Sequence, residues 1–265
     1  MDQPAPSRPL RTAEVARAAG VHPNTVRLYE QWGYLSPVPR TPSGYRQFTL
    51  MHVEQMRLAR LALQWPYPGG KATLLALVKS AAAEDFGTAL ELAYQYLASV
   101  RAERAHAEAA IEFLERWAQG HATDPAVPPL RIQEAARRLS VTPDMLRNWD
   151  RNGLLDVPRD PQSGYRMYGA AELGRVRVIR MLRQAGYGLN AILRMLLAFD
   201  AGDRANLRRA LDTPRAGDDV YSVTDRWLST LGEQEQRALD IIQQLAHMLA
   251  MTQQDATRRP KPRER

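Results

Sequence analysis

Apolar residues recur at intervals of three and four along most of this chain of 265 residues, the spacing of helices with one buried face. "TAEVARAA" (12–19) and "IQEAARRL" (132–139) read as short helices of this kind, each followed by a break at Gly20-Val21-His22 or Ser140-Val141-Thr142. Pro23 and Pro143 then stand where proline suits a first helical turn. Second helices follow in "NTVRLYEQW" and "DMLRNWDRN", ending at Gly33 and Gly153, the residue type favoured just past a helix end. Two short helices joined by a tight turn make a helix-turn-helix. Several prolines and then "SGYRQF" or "SGYRMY" predict two short strands and a loop, a wing. Farther on, Leu90, Ala93, Leu97, Val100, Ala107, Ile111, Leu114 and Ala118 form a heptad seam interrupted only by Arg104. Leu231, Gln234, Ala238, Ile241, Leu245 and Met248 repeat that seam less cleanly.

The pattern occurs twice because the chain is an internal duplication. Shifted by 120 positions, residues 10–48 align with 130–168 without a gap, and 14 of the 39 positions are identical, among them Arg27/Arg147 and both Ser-Gly-Tyr-Arg turns. The expected organisation is a disordered N-terminus (1–9), a first winged helix-turn-helix (10–80), a long dimerisation-type helix (84–119), a linker (120–129) and a second winged helix-turn-helix (130–199). A connector (200–222), a second long helix (223–254) and a basic disordered tail (255–265) complete it. The fold class is mainly α. The copies diverge after the wing, where Trp65-Pro66-Tyr67-Pro68-Gly69-Gly70 replaces the glycine turn of the second copy.

Charge adds a partner to this outline. Of the net +7, residues 10–63 carry +4, residues 130–183 carry +5 and residues 258–265 carry +4, so the rest of the chain is acidic. Basic charge gathered in two matching blocks suggests a polyanion. Arginine outnumbers lysine 33 to 3, which suits bidentate phosphate and base contacts, although a GC-rich genome produces the same bias. The absence of cysteine excludes disulfides and thiolate metal sites. No apolar run of about 18 residues is present to span a bilayer. A soluble, cytoplasmic protein without membrane contact is expected.

Together, "R-x-Y-E", "G-x-L", "G-Y-R-x-[Y/F]" and, in the second copy, "VIRMLRQAGYGLNAI" resemble the MerR family of bacterial transcription regulators. The resemblance covers roughly half the chain, nearly all of 130–196 and the first copy to about residue 60. It implies a winged helix-turn-helix in each copy, a long helix that pairs antiparallel with a second one, and distortion of double-stranded promoter DNA for RNA polymerase. Carried over residue by residue, it places the recognition helices' DNA contacts at Asn24, Thr25, Arg27 and Tyr29, and at Asp144, Met145, Arg147 and Trp149. The wing contacts fall at Arg40, Tyr45 and Arg46, and at Arg159, Tyr165 and Arg166. Trp149 departs from the family's tyrosine, and only its indole N–H could donate to a phosphate.

One chain with two such copies is expected to pair with itself, as a pseudo-dimer rather than an obligate homodimer. The linker, taken from about Gln119 to Pro129, spans at most about 36–40 Å when extended, long enough to enter a neighbouring second copy directly. Because the recognition positions differ, an asymmetric operator on the bacterial nucleoid is expected. Two rival readings keep the fold: an excisionase-like architectural factor that bends DNA, and a scaffold that has lost DNA binding. No phosphate loop, metal triad or nucleophile elbow argues for an enzyme. No two histidines lie at i,i+4 spacing, so neither a metal nor another cofactor is expected. What remains for a sensor is a pocket between the copies lined by Trp65, Tyr67, Tyr94, Tyr96, Trp117 or Trp227, rings for which core packing is the plainer role.

Overall fold

The computed structural model describes residues 8–121, 128–214 and 223–258. The basic tail from 259, residues 1–7 of the N-terminal segment, 122–127 of the linker and 215–222 of the connector lie outside the described residues. The fold is mainly α. In chain order the elements are α1 (Thr12–Ala19), α2 (Pro23–Gln31), α3 (Leu50–Ala62), α4 (Lys71–Ala82), α5 (Phe86–Ala118), β1 (Leu130–Arg131), α6 (Ile132–Leu139), α7 (Pro143–Arg151), β2 (Met167–Tyr168), α8 (Ala170–Gln184), α9 (Leu189–Asp200), α10 (Leu207–Asp212) and α11 (Trp227–Arg258). Each copy is a winged helix-turn-helix followed by a long helix. Close contacts gather these elements into two compact units, Met1–Arg101 with Glu233–Arg265 (unit 1) and Ala102–Gly232 (unit 2). The helix α5 is thus divided between the units after Arg101, whereas α11 belongs to unit 1 from Glu233 onward.

In unit 1 the helix-turn-helix closes because Gly20 takes a left-handed φ of 65° after α1, a conformation that costs glycine little. The carbonyls exposed there accept from the guanidinium of Arg60, at 2.8 Å for Ala19 and 3.1 Å for Gly20. Val15, Ala16, Val26, Leu35, Phe48, Val53 and Met56 bury together beneath α1–α3. A second cluster joins Leu58, Leu74, Leu77 and Val78 to Ala93, Tyr96, Leu97 and Val100 of α5, and to Ala238, Ile241, Leu245 and Met248 of α11. At roughly 1.5–3 kcal/mol for each fully buried large aliphatic, this seam is what holds α11 in unit 1. Polar contacts fix its register. Gln244 donates to the carboxylate of buried Glu54 at 2.7 Å, Arg237 donates to the Gln64 carbonyl at 2.9 Å, and Arg101 pairs with Glu235 at 2.7 Å.

Unit 2 repeats the plan with different fillings. Ser140 adopts the left-handed turn, φ 51°, and Arg180 caps the Leu139 carbonyl at 2.7 Å, 120 positions after Arg60. One continuous cluster runs from Ala135, Leu146 and Trp149 through Val176, Ile179 and Ile192 to Ala107, Ile111, Leu114 and Trp117 of α5. Trp117 packs on Phe199 with ring centroids 4.3 Å apart. The segment after α9, which carries no sequence motif, is gripped by buried Arg194. Its guanidinium donates to the carbonyls of Ala210 (2.6 Å), Leu211 (3.1 Å) and Asp225 (2.8 Å), so α10 and the turn Val223–Arg226 are clasped to α9.

The wings correct the gap-free register of the duplication. Arg40 bridges Arg46 across the first wing, whereas Arg159 bridges Arg166 across the second. Thr41 N donates to the Tyr45 carbonyl and Asp160 N to the Tyr165 carbonyl, each at 2.8 Å. Residues 39–41 therefore match 158–160, an offset of 119, while the tips and beyond match at 120. The second wing has one residue more, and the segment before it one fewer.

Candidate nucleic-acid interface

Both recognition helices begin on a side-chain cap. His22 Nδ1 accepts from Asn24 N at 3.2 Å, and Thr142 Oγ1 accepts from Met145 N at 3.1 Å. Val26 and Leu146 anchor the inner faces of α2 and α7. Asn24, Arg27 and Leu28 on α2, and Asp144, Met145, Arg147 and Asn148 on α7, are exposed together on the outer faces, with Thr25 half-buried beside the first set. Arg27 donates to Asn24 Oδ1 at 3.2 Å, and Arg147 pairs with Asp144 at 2.5 Å.

The wing arginines are not free-standing. Arg46 pairs with Glu30 at the end of α2 (2.5 Å), and Arg166 pairs with Asp150 at the end of α7 (2.5 Å), all four groups being partly buried. Arg40 adds a longer contact to Glu30 at 3.7 Å. Each pair crosses from the recognition helix to the wing and sets the angle between them. Arg46 and Arg166, expected as phosphate contacts, are thus engaged with carboxylates of the recognition helices. Glu30 and Asp150 were visible in the sequence only as motif letters. They differ in identity between the copies, so counting identical pairs passes over them. At the wing tips Tyr45 and Tyr165 are exposed, beside Gly44 and Gly164 with φ of 85° and 70°. Arg159 donates to the Gly164 carbonyl at 3.0 Å, and Arg131 lies over the Tyr165 ring at 4.9 Å.

One expectation about the recognition helices is corrected. Trp149 is 4% exposed and belongs to the unit 2 core, because its large apolar ring fills the space beneath α7. Its side chain is not displayed with Asp144 and Arg147. Tyr29 is half-buried, edge-on to Tyr34 at 5.4 Å, and burial raises its phenol above the ordinary range.

The six rings proposed for a sensor do not converge within either unit. Tyr96 and Trp117 are core residues. Tyr67 hydroxyl donates to the Leu63 carbonyl, and Trp227 Nε1 to the Ala185 carbonyl. Trp65 and Tyr94 face solvent. Among the described residues no group of three or more His, Cys, Asp or Glu side chains could hold a metal ion, and no helix is long and apolar enough to cross a membrane.

Paired helix-turn-helices with exposed polar outer faces, each braced by a wing, define the class of DNA-binding transcription regulators. Residues 130–198 match the model of the MerR HTH family regulatory proteins and residues 11–48 that of the MerR family regulatory proteins. The chain is 27% identical over 118 residues to a probable heavy metal-dependent transcriptional regulator of Haemophilus influenzae, covering 44% of this chain and 84% of that protein. It is 33% identical over 82 residues to the mercuric resistance operon regulatory protein of Bacillus cereus, covering 31% and 61% respectively. It is also 33% identical over 66 residues to the HTH-type transcriptional regulator ZntR of Escherichia coli, covering 25% and 47%. The matched stretches thus span less than two thirds of the last two relatives. No solved structure matches the chain. Two stretches of the chain, 11–48 and 130–198, thus match MerR-family models in tandem, and the matches support a DNA-binding transcription regulator.

Proposed function

We propose that the protein is a single-chain counterpart of a MerR-type dimer, which binds and distorts an asymmetric promoter operator on the bacterial nucleoid so that RNA polymerase can use it. The observation that carries this reading is the contrast between frame and face. The frame repeats, with Arg60 and Arg180 capping the first helices and Arg46–Glu30 and Arg166–Asp150 bracing the wings. The faces do not. Asn24, Thr25 and Leu28 stand where Asp144, Met145 and Asn148 stand in the second unit. A repeated frame holds two helices for the same task, and unlike faces read different bases.

Burial of Ala238, Ile241, Leu245 and Met248 of α11 against the first half of α5 supports an antiparallel pairing of the long helices within one chain. Asn24, Thr25, Arg27, Asp144, Met145 and Arg147 are assigned to the bases, and Arg40, Tyr45, Arg159 and Tyr165 to the backbone. Arg46 and Arg166 hold the wings and reach the phosphates through whichever guanidinium edge the carboxylate leaves open.

Selection of DNA from a random library, followed by light scattering on the complex, tests both halves of the reading. The expected result is a non-palindromic site bound by one chain, with affinity falling steeply as salt rises. A perfectly palindromic site bound by two chains would overturn it. Transcription from a bound promoter, with and without the protein, tests the polymerase step.

A further inference from the structure

Unit 2 carries an exposed acid on its reading face where unit 1 carries a neutral amide. Asp144 replaces Asn24 at the second position of the recognition helix, and its side chain is 88% exposed. In the wing Asp160 takes the place of Thr41, where it accepts from Ser163 N and Oγ, both at 2.7 Å. Unit 1 thus presents an amide, a hydroxyl and a guanidinium, whereas unit 2 presents a carboxylate, a thioether and a guanidinium. A carboxylate facing a polyanion weakens binding to every sequence unless a base edge repays it with a donated hydrogen.

The chemistry of the major groove limits where that hydrogen can come from. Cytosine offers its N4 amino group there with no acceptor of its own, whereas adenine sets the N7 acceptor beside its amino group and repels a carboxylate. Arg147, 2.5 Å from Asp144 in the structure, is the residue type that takes the O6 and N7 of guanine. Carboxylate and guanidinium side by side match the donor and acceptors on the edge of a G·C pair. The pair is an i,i+3 contact at a helix start, so an acid that only steadies the helix is the alternative to exclude.

We propose that Asp144 sets the base preference of unit 2, accepting from a cytosine amino group in its half-site while Arg147 takes the guanine edge. Unit 1, with the amide of Asn24 in that place, makes no such demand for a cytosine. The inference rests on the reading that α7 enters the major groove.

The test is DNA selection and competition binding with the full chain as wild type, Asp144→Ala and Asp144→Asn, with melting curves to confirm that each is folded. The wild type is expected to select a site with one cytosine whose replacement weakens binding about tenfold. Asp144→Ala levels that position to within about twofold and tightens non-specific binding. Asp144→Asn moves the preference toward adenine, the base an amide reads in two contacts. Preferences on the unit 1 side stay as they were. If Asp144→Ala tightens binding to all sequences alike and the cytosine preference persists, the acid is only a helix-steadying charge and the inference falls, while the two-unit reading stands. If the wild type enriches no sequence, the two-unit reading fails and takes this inference with it.

Discussion

The two units hold the ends of the long helices by different means. In unit 1 α11 combines an apolar seam with polar contacts, Gln244 to buried Glu54 and Arg237 to the carbonyl of exposed Gln64. In unit 2 the far half of α5 is packed by Ala107, Ile111, Leu114 and Trp117, with Trp117 against Phe199. A buried polar contact adds little net stability, but it penalises any partner that leaves it unmatched. Apolar packing adds much stability and distinguishes partners by shape. The two ends are therefore not interchangeable. At the position 120 residues after Glu54 stands Gly174, which offers Gln244 no carboxylate. This difference fits the proposed pairing of unlike helices within one chain.

The comparison breaks most visibly at Trp117. Trp117→Ala removes the ring and leaves a cavity in the cluster that runs through all of unit 2, at a cost of about 3–5 kcal/mol. Denaturant unfolding should show that loss, and amide exchange should place it in unit 2. Equal loosening of both units would mean that they do not hold their helix ends independently. Gln244→Ala should cost less, about 1–3 kcal/mol, by depriving buried Glu54 of a donor. Its more telling effect is on specificity. Light scattering should detect more two-chain species in this variant than in the wild type. A strictly monomeric Gln244→Ala would show that the polar contact plays no part in choosing the partner.

Much of this was legible beforehand, for a physical reason in each case. Helix periodicity marks the apolar face, so α1, α2, α6, α7 and both long helices could be read from spacing. It does not say what the face meets. The contact of Glu54 with Gln244 links residues 190 positions apart, and nothing local to either residue announces it. Trp149 was misread because the same position serves as core or surface depending on the rotation of α7, and a ring of that size settles in the core. The wing offset escaped because two compensating one-residue shifts restore the frame before the next identical residues. Identity at a fixed offset cannot detect such a pair.

The wing braces allow a sharper test of how alike the two frames are. Glu30→Ala and Asp150→Ala each remove the carboxylate that angles a wing, and double-mutant cycles with Arg46 or Arg166 should return coupling of up to about 1 kcal/mol, since the pairs are only partly buried. Exchange at residues 43–46 or 163–166 should quicken in the corresponding variant alone. A coupling present in one unit and absent in the other would show that only one wing is braced.

The smallest expected difference lies at the start of the helix after each wing. In unit 1 His52 Nδ1 accepts from Thr49 N at 2.9 Å, while in unit 2 the equivalent Glu172 carboxylate accepts from Gly169 N at 2.8 Å. Burial lowers the His52 pKa from its ordinary 6.5, against the raising influence of the Ser36 and Pro37 backbone and of Glu84 and Glu30. Because the folded value is the lower one, the unfolded chain takes up the proton first as pH falls. The contribution is complete above about pH 6.5 and is lost as pH drops toward the folded value. Unit 1 should therefore loosen before unit 2 in mildly acidic solution, seen as earlier exchange of the α3 amides. Protonation would also turn Nδ1 from acceptor into donor and end its bond to Thr49 N. His52→Glu, which copies the unit 2 cap, should move that loosening to the lower range where carboxylates titrate. An unchanged pH profile in His52→Glu would place the acid sensitivity of unit 1 elsewhere than at this cap.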